Sequence, residues 1–214
     1  RRENAAARII LTGCHGQVYP DRAFGADLVL GHIEKFHIVD FLNKNGVFRS
    51  ERDTFSLEKG CVNSLPAGKT RFFLKIQDGC SNFCSYCIVP YARGNPRSRP
   101  IQEIVETMEV LKGKGVKEVV LTGIEISAYR DPATGADLKE LMKMFANAET
   151  PPRIRMSSVD PLFIDDEFIE IIAGSEKIMK SVHVPLQSGS DDILELMGRQ
   201  YTQTYTRNLI ERLT

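Results

Sequence analysis

Residues 71–87 read RFFLKIQDGCSNFCSYC, an apolar stretch that leads directly into a loop with three cysteines. The first part, Arg71 to Gln77, has the length and the apolar content of a strand. The loop that follows has the spacing C-x3-C-x2-C, formed by Cys80, Cys84 and Cys87. Parallel α/β folds place their functional sites at the carboxyl ends of strands, so this stretch predicts both a fold class and a site.

Apolar stretches of strand length alternate with helical periodicity in the rest of the chain. We predict strands at 117–122, 153–157 and 181–185, each preceded by a helix. Repeated strand–helix units predict a parallel sheet with right-handed crossovers, either barrel-like or doubly wound. A complete barrel of eight such units needs about 250 residues. The four units between Arg71 and Thr214 are therefore expected to form only part of one.

The amino-terminal part of the chain predicts a second, smaller α/β domain. Short apolar strands are expected at 8–12 and 27–30, and Cys14 follows the first of them on a loop. Residues 43–68 mix polar residues, Gly and Pro without periodicity, and we interpret them as a linker. The domain boundary is predicted near Leu65-Pro66, which assigns one domain to residues 1–65 and another to residues 66–214.

Composition and charge limit the classes of protein that fit this chain. Its 214 residues have zero net charge, so no polyanionic partner follows from the global charge. It has five cysteines, an odd number that suits a disulfide framework poorly and a metal or redox site well. No apolar run approaches the roughly 20 residues that span a bilayer, and the first residues lack the apolar segment of a signal peptide. We therefore predict a cytoplasmic location and no membrane partner.

The three loop cysteines supply the thiolate ligands that iron–sulfur clusters use. Electron-transfer clusters usually take four thiolates, and no further cysteine follows Cys87. Three thiolates leave one iron of a 4Fe–4S cluster with an open coordination position, where a substrate can bind. A zinc site normally has a second pair of ligands at regular spacing, and the neighbouring sequence has none. Cys61 matches no motif and is interpreted as a small, partly buried residue.

The cysteine spacing, with Tyr86 before the last cysteine, resembles the radical S-adenosylmethionine (SAM) superfamily. The resemblance implies that the open iron of the 4Fe–4S cluster chelates the amino and carboxylate groups of SAM. It also implies that one electron from the reduced cluster cleaves the sulfonium to give a 5′-deoxyadenosyl radical. The cofactors carry this chemistry, and the protein supplies their orientation and the exclusion of solvent.

Further motifs extend the resemblance to the methylthiotransferases within that superfamily. They lie at 88–94, 97–100, 121–125, 153–158, 185–191 and 197–202. The fold that the resemblance implies is a partial radical-SAM (β/α) barrel, preceded by the C-terminal part of a small α/β methylthiotransferase N-terminal domain. Residues 12–17 (TGCHGQ) resemble the segment with the last of three ligands to a second 4Fe–4S cluster. Cys14 is thus an expected ligand, and the other two would lie upstream of Arg1.

Members of the family differ in substrate. Two branches act on modified adenosines at position 37 of tRNA, and a third acts on an aspartate of a ribosomal protein. Residues 187–191 resemble the tRNA branches, and residues 122–125 and 155–159 resemble the enzymes for N6-threonylcarbamoyladenosine rather than isopentenyladenosine. The implied reaction converts C–H to C–SCH3 at adenine C2, with one SAM for the radical and another as methyl donor. The implied partners are a tRNA anticodon stem-loop and an electron donor such as flavodoxin or ferredoxin; an iron–sulfur or zinc nucleic-acid-binding module without chemistry is the alternative.

Residues that follow the predicted strands are expected to bind SAM above the cluster. A carboxylate accepts hydrogen bonds from the amino group of SAM, and polar side chains bind its ribose hydroxyls. The alternatives are an exposed loop charge for Glu125 and a turn with a helix cap for residues 188–190. The expected set is Tyr86, Gly123, Glu125, Ser157, Gln187 and Ser188, and none of these is assigned a catalytic role.

Basic residues beside the cysteine loop suggest a contact with RNA. Arg93, Arg97 and Arg99 form a local group, and arginine binds phosphates through two nitrogens. A solvated loop is the alternative for this group. Arg155 is predicted to point into the barrel and to pair with a carboxylate, because an unpaired buried charge is costly. His183, in the predicted fourth strand, is expected to be a core histidine.

Overall fold

The computed structural model describes residues 4, 6–51, 57 and 70–214. The chain divides into two compact units, Arg1–Ser56 with Ser81–Asn95 and Leu57–Cys80 with Pro96–Thr214. Cys61 and the boundary predicted at Leu65-Pro66 lie outside the described residues, so the domain limits stay a prediction. Within the described part of the chain, no helix combines the length and the apolar content that crossing a membrane requires.

The first unit contains a three-stranded parallel sheet. Strands β1 (Ile10–Thr12) and β2 (Leu28–Leu30) confirm the two predicted strands, and β3 (Gly46–Phe48) pairs with the other side of β2. β3 lies within residues 43–68, so the interpretation of that stretch as a linker was wrong at these positions. β3 has only three residues and is mostly exposed, which is too short for a recognisable pattern. The strand exists because its backbone pairs with the buried β2.

Short helices complete the first unit. Helix α1 (Cys14–Val18) begins directly after β1, so Cys14 is its first residue. A 3-10 helix (Glu34–Phe41), kinked at His37, connects β2 to β3. Helix α2 (Val89–Arg93), which follows the cysteine loop in sequence, contacts α1 in this unit.

The second unit is built on another parallel sheet. Its strands are β4 (Arg71–Lys75), β5 (Gln77–Asp78), β6 (Arg97–Ser98), β7 (Glu118–Thr122) and β8 (Arg153–Met156). Strands β4, β7 and β8 pair in parallel in that order, whereas β5 and β6 form an antiparallel ribbon. Helices α3 (Ile101–Gly113), α4 (Leu138–Asn147) and α5 (Asp166–Gly174) follow β6, β7 and β8. The predicted α/β class and its parallel sheet are confirmed; the described strands form part of a barrel and do not close into a complete one.

The parallel sheet of the second unit has one face covered by helices. Alternate strand residues on this face are buried against α3, α4 and α5: Leu74, Val119, Leu121, Ile154 and Met156. Helix α3 contributes Ile104, Met108 and Leu111, whose spacing places them on one side of the helix. Burial of each such side chain is worth about 1.5–3 kcal/mol. The intervening strand residues, Arg155 among them, lie on the opposite face.

Side chains define where two of the helices begin. The carboxylate of Asp137 accepts the Glu140 N–H at 3.0 Å, and the Glu140 carboxylate accepts the Asp137 N–H at 2.8 Å. This reciprocal pair is the capping box that starts α4. Asp165 starts α5 by accepting the Phe168 N–H at 2.9 Å. Each cap satisfies backbone donors that have no partner inside the helix.

The prediction of a strand at 181–185 was wrong. Among the described residues this region pairs with the sheet only through isolated parallel bridges, Ile154 to Ile178 and Ser158 to His183. The Ser181 N–H donates to Met179 O at 2.7 Å, and this tight turn interrupts a continuous ladder. Helices α6 (Asp191–Leu196) and α7 (Gln203–Leu213) follow, as the predicted helical segment requires.

Candidate functional site

The cysteine loop lies between β5 and β6. Cys84 is buried, and Cys80 and Cys87 are half-buried. The Cys87 N–H donates to Cys84 O at 2.9 Å, which closes a turn between the second and third cysteines. Phe83 has a φ of 47°, in the left-handed region that few residues other than glycine adopt. Tyr86, within the turn, is 53% exposed.

The donor set of this loop fits a 4Fe–4S cluster. The three cysteines lie on irregular backbone, and thiolates are the ligands that such clusters use. Each thiolate of a 4Fe–4S cluster binds a different iron, so the ligands of a cluster need not converge on one ion. Over residues 4, 6–51, 57 and 70–214, no three His, Cys, Asp or Glu side chains are grouped to hold a metal ion. The loop therefore fits the cluster in the chemical element of its donor atoms and in their number.

The β5–β6 ribbon holds the two ends of the cysteine loop together. Gln77 pairs with Ser98, and Asp78 pairs with Arg97. The buried Asp78 carboxylate accepts from Lys75 Nζ at 2.6 Å and lies 3.7 Å from Arg97 Nη2. Hydrogen bonds between charged groups are stronger than neutral ones, so Asp78 anchors the base of the loop.

Gln77 is a residue of this site that sequence reasoning missed. Its side chain is fully buried, and its Nε2 donates to Gly79 O at 2.7 Å and to Asp78 O at 3.1 Å. Its Oε1 accepts the Glu125 N–H at 2.8 Å and the Ile124 N–H at 3.1 Å. One amide thus joins the start of the cysteine loop to the loop after β7. No local pattern reveals this, because the two donors lie 47 and 48 residues along the chain.

Two expected SAM-binding residues, Gly123 and Glu125, lie on the loop that Gln77 holds. A Cβ at Gly123 would lie 2.8 Å from Gln77 O, so this close approach requires glycine. Glu125 caps a 3-10 helix (Ile126–Ala128), where its Oε1 accepts the Ser127 N–H at 3.2 Å. Burial raises the pKa of Glu125, and the Asp160 carboxylate raises it further. These roles are structural, and the contacts with SAM stay a prediction.

The remaining expected SAM-binding residues lie after β8 and before α6. Ser157 directly follows β8, and its N–H donates to Leu121 O at 2.9 Å. Gln187 is exposed and has a φ of 63°. The Ser188 Oγ accepts the Ser190 N–H at 3.1 Å, in the turn that the alternative interpretation describes. Contact of Ser157, Gln187 and Ser188 with SAM also stays a prediction.

The three arginines after the cysteine loop have different environments. Arg99 is buried; its Nε donates to Lys75 O at 3.1 Å, and its Nη1 lies 3.3 Å from the Glu103 carboxylate. We expected Arg99 to be accessible and to contact an RNA phosphate, but its buried guanidinium contacts other groups of the protein instead. Arg97 lies in β6 and Arg93 ends α2, both half-buried. RNA contact by Arg93 and Arg97 stays a prediction.

Three other residues singled out in the sequence have defined surroundings. Arg155 Nε donates to Glu118 Oε1 at 3.3 Å, which confirms the carboxylate partner predicted for it. Cys14 is a half-buried free thiol. His183 is exposed, with its Nδ1 2.8 Å from Ser158 Oγ, so the expectation of a core histidine was wrong. The isolated bridge at His183 leaves that residue at the surface instead of inside a continuous strand.

Comparisons with known proteins agree with this geometry. The radical SAM superfamily model matches residues 74–214. A radical SAM methyltransferase from Kitasatospora setae, solved with a tryptophan substrate and a SAM analogue, has a similar fold. Its TM-score is 0.53 at 24% identity, over 67% of this chain and 28% of that one.

Curated relatives cover nearly the whole chain. A threonylcarbamoyladenosine tRNA methylthiotransferase from Thermotoga maritima is 36% identical over 100% of this chain and 50% of its own length. A ribosomal protein uS12 methylthiotransferase from Acetivibrio thermocellus is 35% identical over 96% of this chain and 49% of its own. A tRNA-2-methylthio-N(6)-dimethylallyladenosine synthase from Thermotoga petrophila is 36% identical over 88% of this chain and 44% of its own length. The chain thus spans about half the length of these relatives.

Proposed function

The chain belongs to the radical SAM superfamily, and from this premise we propose that it methylthiolates adenine C2 of N6-threonylcarbamoyladenosine-37 in tRNA. The observation that carries the proposal is the C-x3-C-x2-C loop that follows β5, whose first residues Gln77 ties to the loop after β7. Similarity over the full chain to a threonylcarbamoyladenosine tRNA methylthiotransferase supports the substrate. The motifs at 122–125 and 155–159, which lie within that similarity, favour the same substrate.

Cys80, Cys84 and Cys87 would hold the SAM-binding 4Fe–4S cluster. When bound, such a cluster supplies the electron for reductive cleavage of SAM. The protein's own task is to position the ligands and the cofactor. The Asp78 ion pair fixes the base of the cysteine loop, and the Gln77 amide fixes the loop after β7 to that base. These two contacts hold the base of the cysteine loop and the loop after β7 together before any ligand binds.

SAM would contact residues at the ends of the strands. The amino group of SAM suits the Glu125 carboxylate, because a positive charge beside this carboxyl offsets the burial that raises its pKa. Ser157, Gln187 and Ser188 would bind the ribose and methionine ends through their polar atoms. Gly123 would contact the ligand through its backbone, and Tyr86 would contact it from the cysteine loop.

The proposed partners are a tRNA anticodon stem-loop and a one-electron donor such as flavodoxin or ferredoxin, all in the cytoplasm. Arg93 and Arg97 would contact phosphates of the stem-loop. Cys14 would be one ligand of a second 4Fe–4S cluster. That cluster would need two further ligands from the protein.

Two other substrates of the same chemistry are alternatives, because relatives for both have similar identity to this chain. They are isopentenyladenosine-37 in tRNA and an aspartate of a ribosomal protein. Mass spectrometry of tRNA nucleosides from a deletion strain tests the choice. We expect loss of the methylthio derivative of threonylcarbamoyladenosine alone. An unchanged level of that nucleoside would contradict the proposal.

A nucleic-acid-binding module without chemistry is the alternative from another class. Anaerobic reconstitution of the full-length protein separates it from an enzyme. We expect about four irons per cysteine loop and the release of 5′-deoxyadenosine from SAM under reducing conditions. Stoichiometric zinc without SAM cleavage would support the binding module instead.

A further inference from the structure

Glu125 is connected to the loop after β8 through two hydrogen bonds. Its Oε1 accepts the Ser127 N–H at 3.2 Å, and the Ser127 Oγ accepts the Asp160 N–H at 2.9 Å. Ser127 and Asp160 lie 33 residues apart in sequence, so this hydroxyl joins the loop after β7 to the loop after β8. Glu125 is therefore positioned by both loops, in addition to the Gln77 contact at its backbone.

The Asp160 carboxylate has a partner at each of its oxygens. Its Oδ1 accepts the Leu162 N–H at 2.9 Å and caps a 3-10 helix (Pro161–Phe163). Its Oδ2 lies 3.4 Å from Arg199 Nη1. The side chains of Asp160 and Arg199 are 15% and 12% exposed, and an ion pair shielded from water interacts more strongly than one at the surface. Arg199 thus fixes the same loop that Ser127 joins to Glu125.

Arg199 lies between α6 and α7, in a segment that also contacts the residues before α6. The Arg199 guanidinium lies 5.9 Å from the centre of the Tyr201 ring. The Tyr201 hydroxyl donates to Pro185 O at 3.2 Å, two residues before Gln187. This one segment therefore contacts both the loop after β8 and the residues that lead to Gln187.

Two charged side chains of this network act on Glu125 with opposite signs. Burial is the largest cause of the raised pKa of Glu125, and the Asp160 carboxylate raises that pKa further. The Arg199 guanidinium lowers it. The Ser127 N–H and the Gln77 amide, which also contact Glu125, carry no charge. Arg199 is thus a cation that opposes the effects of burial and of Asp160 on Glu125.

We propose that Arg199 is a positioning residue for SAM, which acts through Asp160 and Ser127 to hold Glu125 as the charged acceptor for the amino group. The proposal rests on the proposed function, in which Glu125 contacts that amino group. Asp160 alone would disfavour the charge on Glu125, because like charges repel. The guanidinium of Arg199 offsets this repulsion and fixes the loop at the same time.

The test measures the titration of Glu125 in the full-length protein before the cluster and SAM are added. Carboxyl 13C NMR of labelled glutamate follows the titration, and Glu125→Gln assigns the resonance. Arg199→Gln should raise the pKa of Glu125 by about 0.5, and Asp160→Asn should lower it by about as much. Both variants break the same ion pair, so a purely structural role would not move the pKa in opposite directions. The sign of each shift depends only on the charge removed.

Two control variants separate charge from structure, and thermal unfolding verifies that each variant folds. Arg199→Lys keeps the charge and should keep the pKa of Glu125 near that of the wild type. Tyr201→Phe removes a hydrogen bond from the same segment without changing a charge, and it should leave the pKa unchanged. Shifts of the same sign in Arg199→Gln and Asp160→Asn would overturn the proposal. A shift in Tyr201→Phe as large as that in Arg199→Gln would overturn it also.

A double variant keeps the test decisive if Arg199→Gln does not fold. Arg199→Gln combined with Asp160→Asn leaves no unpaired charge in the buried network. The pKa of Glu125 should then fall below the wild-type value, because Asp160 acts on it more strongly than Arg199 does. A raised or unchanged pKa in the double variant would contradict the proposal.

The affinity for SAM should follow the same titration in the anaerobically reconstituted protein. Equilibrium dialysis should show binding that weakens as the pH falls and Glu125 takes up a proton. The pH of half-maximal affinity should move up in Arg199→Gln and down in Asp160→Asn. An equal loss of affinity at every pH in Arg199→Gln would make Arg199 a direct ligand of SAM and overturn the proposal.

SAM binding needs no turnover, so the inference and the proposed function fail in different ways. A protein that shows these shifts but does not methylthiolate threonylcarbamoyladenosine contradicts the proposed function alone. A protein that methylthiolates this nucleoside, with a SAM affinity that does not follow the titration of Glu125, contradicts the inference alone.

Discussion

The backbone N–H of Glu125 donates to the buried Oε1 of Gln77 at 2.8 Å, and this bond joins two loops that follow different strands. The same amide donates to Gly79 O, one residue before the first cysteine of the loop. Burial makes each of these bonds costly to leave unmade. Gln77 therefore holds the start of the cysteine loop against the loop after β7.

Replacement of Gln77 by leucine should destabilise the protein by at least about 3 kcal/mol. The change leaves the Glu125 and Ile124 N–H groups and Gly79 O without their partner, at a cost of about 1–3 kcal/mol for each unpaired group. Urea unfolding of the apoprotein measures the effect. Gln102→Leu, on the exposed side of α3, is the control and should change stability by less than about 0.5 kcal/mol. Similar losses in both variants would argue against a special role for Gln77.

Two glycine-to-alanine changes should have opposite signs. Gly123→Ala brings a Cβ within 2.8 Å of Gln77 O and 3.0 Å of Ile126 Cγ2, and we expect a loss of about 1–3 kcal/mol from this overpacking. Gly113→Ala, at the end of α3, meets no atom within 4 Å, and we expect a gain of about 0.4–1 kcal/mol. Thermal unfolding of the two variants beside the wild type checks both signs.

Single alanine substitutions should separate the roles of the cysteines. Cys80→Ala, Cys84→Ala and Cys87→Ala should each abolish SAM cleavage, because the SAM-binding cluster loses one of three ligands. Cys14→Ala should keep SAM cleavage and lose methylthiolation. Cys61→Ala, outside every motif, is the control that should keep both. Iron content and 5′-deoxyadenosine release are the readouts, and SAM cleavage by Cys84→Ala would contradict the ligand assignment.

Glu125 should make stability fall as the pH rises. Its pKa in the folded protein lies above the ordinary value of 4.5, chiefly because of burial, so the folded state holds the proton more strongly. This contribution is fully present below about pH 4.5 and is lost as the pH rises through the raised folded pKa. Glu125→Gln should remove that decline. The free energy of unfolding at a series of pH values tests it, and parallel curves for wild type and variant would refute the assignment.

Glu118 should act in the opposite direction. Burial opposes its ionisation, but Arg71, Arg153 and Arg155 lower its pKa overall, so its contribution is present above pH 4.5 and lost as the pH falls through the folded pKa. Glu118→Gln at neutral pH leaves three guanidiniums without a carboxylate. We expect a loss of about 2 kcal/mol, less than for a fully buried pair because the arginines are partly exposed. The loss should shrink in acid, which denaturant unfolding at two pH values measures.

The long elements of the fold were predictable because their patterns are local and repeat over many residues. The apolar stripe of α3 and the apolar run of β7 are both visible in the sequence itself. By contrast, β3 and the β5–β6 ribbon have two or three residues each and exist only through pairing with distant backbone. The alternation at 181–185 suggested a strand, but the turn at Ser181 prevents one.

The residues of the candidate site also differ in how far the sequence reveals them. The cysteine spacing lies within one loop and was recognised directly, whereas Gln77 acts on donors nearly fifty residues away and carries no local pattern. Arg99 looked like its neighbours in sequence, yet its burial against Lys75 and Glu103 separates it from them. Burial and long-range partners depend on packing, which a short motif does not encode.

The β5–β6 ribbon holds the two ends of the cysteine loop at a fixed distance, whatever the number of residues between them. The entropy of closing the loop is already included in folding, and it grows only slowly with the number of residues enclosed. A change in the number of residues inside the loop therefore costs little closure entropy. The limit on such changes is instead set by α2, whose buried Pro90 and Ala92 and whose contact with α1 any replacement segment would have to keep.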